Sequence, residues 1–327
     1  MLRFPNPGSS LDNFLKIFNN LCLNLSEFEF DLDDMVFVTV KKGFASSSGF
    51  VGTQAIKQST RKDRSRDPLY NQLKMYSELY RHLGFIKSVP NNALKFIITP
   101  FGKMFSKSDQ QINLFIYSIL CISFPNESIQ TKTNSNIRPF FTILSIINKI
   151  DNYISRDEMI ICILSLENDF NFQNEIINNI KNLRKKNNIN YEINKISKKT
   201  KIAINTLRNY TRTPIMFLRD SNLFEKKNNY FSLTKKGHFF SNIVANSYDL
   251  RLYEISYNKN KFKENFKLIF NNLFLKKDDI SQIKKLFNTN KKYIFFNPYQ
   301  QLNSESLSQI FNWKIKLPKF EFSKINL

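Results

Sequence analysis

Residues Ser59 to Phe105 read STRKDRSRDPLYNQLKMYSELYRHLGFIKSVPNNALKFIITPFGKMF. The stretch opens as a cationic arm, in which Arg61, Lys62, Arg64 and Arg66 are separated by one acid, Asp63. Asp67-Pro68 has the signature of a helix start: an acceptor side chain at the N-cap, then a proline whose missing N–H costs nothing at the first helical position. Leu69, Leu73, Tyr76, Tyr80 and Leu83 follow at spacings of four and three, which is one apolar stripe of a helix. Asn71, Lys74, Glu78 and Arg81 lie off that stripe. Gly84 suits the left-handed residue that ends a helix. Phe85 to Lys87, the Pro90-Asn91-Asn92 turn and Leu94 to Ile98 predict a hairpin, and Thr99-Pro100 opens another helix. A helix followed by a hairpin is the last half of a winged helix-turn-helix.

The same shape returns at Arg208 to Phe240, RNYTRTPIMFLRDSNLFEKKNNYFSLTKKGHFF. Arg212-Thr-Pro echoes Arg66-Asp-Pro. Phe231-Ser-Leu-Thr-Lys-Lys-Gly echoes Phe96-Ile-Ile-Thr-Pro-Phe-Gly. The expected fold is therefore mainly α with small β-hairpins. It consists of two winged helix-turn-helix domains plus a helical C-terminal extension.

Charge points to the partner. Across 327 residues, 49 Lys and Arg face 27 Asp and Glu, a formal net charge of +22. Neutralising phosphates supplies most of non-specific nucleic-acid affinity, so a polyanionic partner is expected. Part of the excess reflects composition, since Lys, Asn, Ile and Phe crowd the chain as an AT-rich genome would produce. The arginines are more telling, because such a genome disfavours Arg and several cluster in the two motifs. The three cysteines, Cys22, Cys121 and Cys162, are odd in number and far apart. That fits a reducing cytoplasm and neither a disulfide frame nor a zinc site. No cationic-then-apolar leader opens the sequence, and Ile112 to Phe124 is apolar but too short to span a bilayer. The expectation is a cytoplasmic protein with no membrane partner.

In chain order, Leu11 to Leu25 predicts an amphipathic helix. Leu32 to Gly43 predicts a short helix ending at the glycine, Ser46 to Gly52 a small-residue loop, and Ile112 to Phe124 the buried helix that closes the first domain (1–125). Asn126 to Asn136 is polar and unpatterned and is the expected linker. The second domain (137–245) is expected to hold a buried helix over Phe140 to Ile150. Ser155 and Glu158 form a capping box opening a helix to Leu166. A helix over Ile176 to Arg184 and a basic turn and helix over Ser197 to Tyr210 complete it. The stripe Phe262, Phe266, Ile269, Phe270, Leu273 and Phe274 opens the helical extension (246–327).

The two wings resemble the recognition half of AlwI-family type IIS restriction endonucleases, a FokI-like winged-helix region. So do Arg138-Pro-Phe-Phe-Thr-Ile-Leu, Ser155-Arg-Asp-Glu-Met-Ile-Ile and Thr206-Leu-Arg-Asn-Tyr-Thr-Arg. The likeness runs from about Asp67 to about His238 and touches Leu317-Pro-Lys-Phe-Glu-Phe. It implies recognition of a short asymmetric site in double-stranded DNA within a restriction-modification system. In that family a magnesium-dependent PD-(D/E)xK nuclease domain follows the recognition region. Only Glu225-Lys226-Lys227 has the D/E-x-K spacing here, and it falls in the second hairpin, where a basic wing tip is the expected identity. Cleavage is therefore expected to be absent or supplied by a separate nuclease subunit, with a cognate DNA methyltransferase in the same system. No catalytic residue, metal site or cofactor is assigned. Mg2+ enters only with a nuclease domain or partner. A winged-helix plasmid replication initiator, or another non-nuclease DNA binder, is the alternative, and a protein-interaction scaffold a third class.

The candidate contacts follow. Arg61, Lys62, Arg64 and Arg66 are expected to meet phosphates or the minor groove. Asn71, Gln72 and Lys74 lie near the first helix start and are candidates for base edges. Arg208, Asn209 and Arg212 form the second reading set, since Arg to guanine and Asn to adenine are the usual bidentate pairings. Arg138 and Arg156 are expected to clamp backbone at helix starts, with Lys226 and Lys227 at the second wing. The bland alternative for each is a solvated or ion-paired surface side chain. His82 and His238, the only histidines, are expected to be structural.

Overall fold

The computed structural model describes residues 1–44, 46–47, 50–51, 67–89, 92–109, 111–122, 124, 137–167 and 173–245. The cationic arm, the linker 126–136 and the extension 246–327 lie outside the described residues. The described backbone is mainly helical with small antiparallel β-hairpins. Contacts divide the chain into two compact units. Pro5–Gln111 is the body of one; Met1–Phe4, Ile112–Asn126 and Gln130–Asn297 make up the other.

In the first unit, Ser10 caps α1 (Leu11–Leu25). Asp31 and Asp34 cap the start of α2 (Leu32–Lys41) reciprocally. Gly43 follows α2 at φ +70°, as its position predicts. Where the sequence suggests a loop, β1 (Ser46–Ser47) and β2 (Phe50–Val51) pair antiparallel. The side chain of Asp67 accepts from the amides of Leu69 and Tyr70 at the head of α3 (Pro68–His82). The stripe of α3 is buried as its spacing predicts: Leu69, Leu73, Tyr76, Tyr80 and Leu83 have no exposed surface. Tyr80 Oη donates to Phe14 O at 2.8 Å. Its ring joins a cluster with Phe14 (4.6 Å) and Phe18 (5.0 Å), and Phe18 in turn meets Phe85 at 4.7 Å. Burying each such side chain contributes about 1.5–3 kcal/mol. The hairpin β3 (Ile86–Val89) with β4 (Asn92–Ile98) and then α4 (Pro100–Lys107) complete the unit.

The second unit contains α5 (Gln111–Cys121) from Ile112 onward. The sequence order suggests this helix for the end of the first domain. Here Phe115 packs edge-on against Phe217 at 4.8 Å, so its apolar surface belongs to the other core. Every residue of α6 (Pro139–Ile146) is buried, and a 3-10 turn over Ile147–Lys149 replaces the expected continuation to Ile150. The short strand β5 (Tyr153–Ser155) leads into α7 (Arg156–Met159), opened by the predicted Ser155–Glu158 capping box. The expected helix then widens to a π-turn over Ile160–Leu164, because the Ser165 amide and hydroxyl both reach back five residues to Ile160 O. α8 (Gln173–Lys186) follows, then α9 (Ile189–Thr200), which the sequence leaves largely unmarked. α10 (Ile204–Tyr210) and α11 (Arg212–Asp220) precede the hairpin β6 (Phe224–Lys227) and β7 (Tyr230–Leu233), and α12 (Lys235–Ala245) ends the described part. The sheet runs β5-β7-β6, antiparallel throughout.

Arg184 locks the centre of this unit. Its Nε donates to Glu158 Oε1 at 2.6 Å, Nη1 to Ile150 O at 2.6 Å and Nη2 to Tyr153 O at 2.8 Å. The guanidinium also lies over the Tyr153 ring at 3.9 Å. Glu158 is fully buried, so this pairing is what makes its charge tolerable.

The echoed sequence produces the same clasp in both units. Gly84 and Asn222 take positive φ, +74° and +62°, directly after their helices. The next amides, Phe85 and Leu223, donate back to Tyr80 O and Leu218 O. After each hairpin a threonine hydroxyl returns to that turn, Thr99 to Gly84 O and Thr234 to Asn222 O, both at 2.6 Å. The same hydroxyls accept from Gly102 N and Gly237 N, both at 2.9 Å. A Cβ on Gly102 would stand 2.3 Å from Phe85 O, and one on Gly237 2.0 Å from Leu223 O. The Thr-x-x-Gly echo is thus a device that ties the strand's end to the preceding helix's end. No helix of the described residues is long and apolar enough to cross a membrane.

Candidate nucleic-acid interface

The chemistry concentrates in the second unit. α9 and α10 are joined by a short turn, Lys201-Ile202-Ala203, which starts with Lys201 at φ +57°. Ile193 of α9 and Leu207 of α10 pack with Ile160, and Ile196, Ile202, Ile204 and Tyr210 flank them. That burial turns Lys195, Lys198, Lys199, Asn205 and Thr206 to solvent. Thr211 ends α10 by donating its hydroxyl to Arg208 O at 2.8 Å.

A cleft of about 380 Å³ lies between α7, α10 and the tip of the β6–β7 hairpin. Arg156, Asp157, Arg208, Lys226, Asn228 and Asn229 line it. Asn228-Asn229 is the two-residue turn joining Lys227 to Tyr230, with Asn228 at φ +54°. The Arg156 guanidinium is held below the usual arginine range, first by burial and then by the neighbouring Arg212 and Arg208 cations, with Asp157 opposing. Hydrogen bonds from Arg208 to Asp157 push the Arg208 value the other way. Arg208 Nε donates to Asp157 Oδ1 at 2.8 Å and Nη2 to Oδ2 at 2.6 Å. Cations gathered against their own repulsion make a site suited to an anionic ligand.

The predicted contacts separate on this geometry. Arg156, Arg208 and Lys226 share the cleft, and exposed Arg212 at the head of α11 lies within their field. Asn209 is half-buried beside them. Lys227 pairs with Glu225 at 2.8 Å, and this exposed pair accounts for the D/E-x-K triplet. Arg138 is only 3% exposed, its guanidinium 4.2 Å above the Phe141 ring, and so does not present itself to a phosphate. In the first unit Lys74 is exposed and Asn71 half-buried. Gln72 turns inward: its amide donates to Pro7 O at 3.0 Å and its Oε1 is covered, so it does not reach a base edge. Arg61, Lys62, Arg64 and Arg66 lie outside the described residues. His82 is buried and His238 exposed beside Asn148. Among the described residues no group of three or more His, Cys, Asp or Glu could hold a metal ion.

Asp157, Asn228 and Asn229 are not singled out by the sequence reading. The asparagine pair after Lys226-Lys227 is a readable turn signal. Asp157 carries none, because the partner that gives it meaning is 51 positions away.

The family described as AlwI restriction endonuclease matches residues 81–311. Among solved structures, the chain is similar to the BpuJ1 endonuclease binding domain, crystallised in complex with pyrene- and phenanthrene-modified DNA. The similarity covers 84% of this chain and 95% of that one, at 13% identity and a TM-score of 0.49. No curated protein matches.

Proposed function

Because the chain belongs to the AlwI restriction endonuclease family, we propose that it recognises a short asymmetric site in double-stranded DNA as part of a restriction-modification system. The observation that carries this reading is the convergence of Arg156, Arg208 and Lys226 from separate elements on one cleft, with the Arg212 charge acting on Arg156. In this reading the second unit is a winged helix. α9, its turn and α10–α11 form the helical part, β5-β7-β6 the sheet, and Asn228-Asn229 the wing tip. The first unit repeats the helix-clasp-hairpin half, headed by the Arg61–Arg66 arm. Arg156, Arg212 and Lys226 neutralise phosphates, which fixes register without reading sequence. Arg208, Asn209 and the tip asparagines offer the donors and acceptors that read base edges.

Selection from a randomised duplex pool tests it. The expected result is one asymmetric motif, whose enrichment disappears when Arg208 and Arg212 are both replaced by Ala. A pool that yields no motif refutes the reading.

A further inference from the structure

The cleft holds one acid among its cations, and its placement is specific. Asp157 occupies the first turn of α7, in the capping box that Ser155 opens, with its side chain only 14% exposed. Both of its oxygens are spent on one edge of the Arg208 guanidinium, Nε and Nη2. Among the described residues the opposite edge, Nη1 and the second hydrogen of Nη2, donates to nothing, and the side chain is 41% exposed. Arginine is planar, so fixing one edge fixes the direction of the other. An acid in a site built only for phosphate would be a defect, since it cancels one of the charges that attract the backbone.

We propose that Asp157 is a positioning residue that holds Arg208 as a fixed two-donor fork for a guanine base. Guanine presents two acceptors, O6 and N7, side by side in the major groove, and the free edge of Arg208 matches them. Asp157 makes no contact with DNA. It removes the rotamer freedom that a long side chain would otherwise lose on binding. It also lowers the cleft's general attraction for phosphate. The idea rests on the DNA-recognition reading above and deepens it by naming one base and the residue pair that chooses it.

The test is selection from the same randomised duplex pool with the wild-type chain, D157N and R208K. D157N keeps the side chain's shape but loses the charge and one acceptor; R208K keeps the charge but loses the fork. The wild-type motif is expected to contain a guanine preferred by roughly tenfold or more, the discrimination of a good bidentate pair. Both variants should blur that one position and retain the others. Binding of D157N to mixed-sequence duplex should be equal or tighter, which a simple loss of folding would not produce. If D157N does not fold, judged by circular dichroism, D157E replaces it. The carboxylate moved out by one methylene shifts the guanidinium, so D157E should blur the same position, and an intact motif there overturns the proposal. A motif unchanged in R208K, or blurred there but intact in a folded D157N, overturns the proposal while leaving DNA recognition standing. A wild-type pool with no motif overturns both.

Discussion

Thr99→Val and Thr234→Val test the repeated clasp and are expected to differ in a definite direction. Valine matches threonine in size, so neither change leaves a cavity. What is lost is the hydroxyl. At Thr99 it donates to Gly84 O at 2.6 Å and accepts from Gly102 N at 2.9 Å, and the residue is 1% exposed. Valine there strands a carbonyl and an amide out of reach of water. Each buried group left unsatisfied costs about 1–3 kcal/mol, so the two together should cost about 2–6 kcal/mol. Thr234 makes the same two bonds, at 2.6 Å and 2.9 Å, but is only half-buried. Water can replace its hydroxyl, and the cost falls to about 1 kcal/mol, the ordinary worth of an N-cap. Urea unfolding followed by circular dichroism measures both. Hydrogen exchange at the Gly102 and Gly237 amides shows which unit opens, since two units need not unfold together. Equal costs, or a larger cost at Thr234, would refute the argument that burial sets the value of this clasp.

Arg212→Ala should weaken binding to duplexes of any sequence alike and reduce the slope of log K against log salt by about 1, one phosphate contact fewer; titrations at several salt concentrations measure it. Arg184→Ala leaves Glu158 buried without its cation and should cost about 3–5 kcal/mol. The double variant with Glu158→Gln should recover part of that, and a thermal melt of each gives the comparison. Burial pushes the Cys22 and Cys162 thiols up to about 12. Both should label slowly with a thiol reagent at mildly alkaline pH until the chain is unfolded. Because the folded values are raised, the stability this contributes is complete below the ordinary thiol range and is lost as pH rises towards about 12.

Much of the fold is legible because the signals are local. Asp67-Pro68, Ser155-x-x-Glu158 and the stripe from Leu69 to Leu83 each involve residues within a few turns, and each produced the expected element. The misses have physical causes. Half of α9 is Asn, Lys and Ser, and only Ile189, Ile193 and Ile196 mark its apolar side; the partners Leu207 and Ile160 lie elsewhere in the chain. The helix after Met159 widened because a serine five residues from Ile160 captured its carbonyl. Ile112 onward joined the second core because an apolar helix does not declare which core it will fill.

The sequence by itself determined the helix starts, the doubled hairpin with its Thr-x-x-Gly echo, and the surplus of positive charge. These depend on residue type and short spacing, where the backbone's own hydrogen-bonding needs leave few choices. Only the tertiary structure decided what each arginine does. Arg138 lies under cover on Phe141, Arg184 serves Glu158, Arg208 is aimed by Asp157, and Arg212 stands in solvent. An arginine's role depends on its exposure and on which carboxylate it meets. Both are set by packing between segments that are distant in the chain.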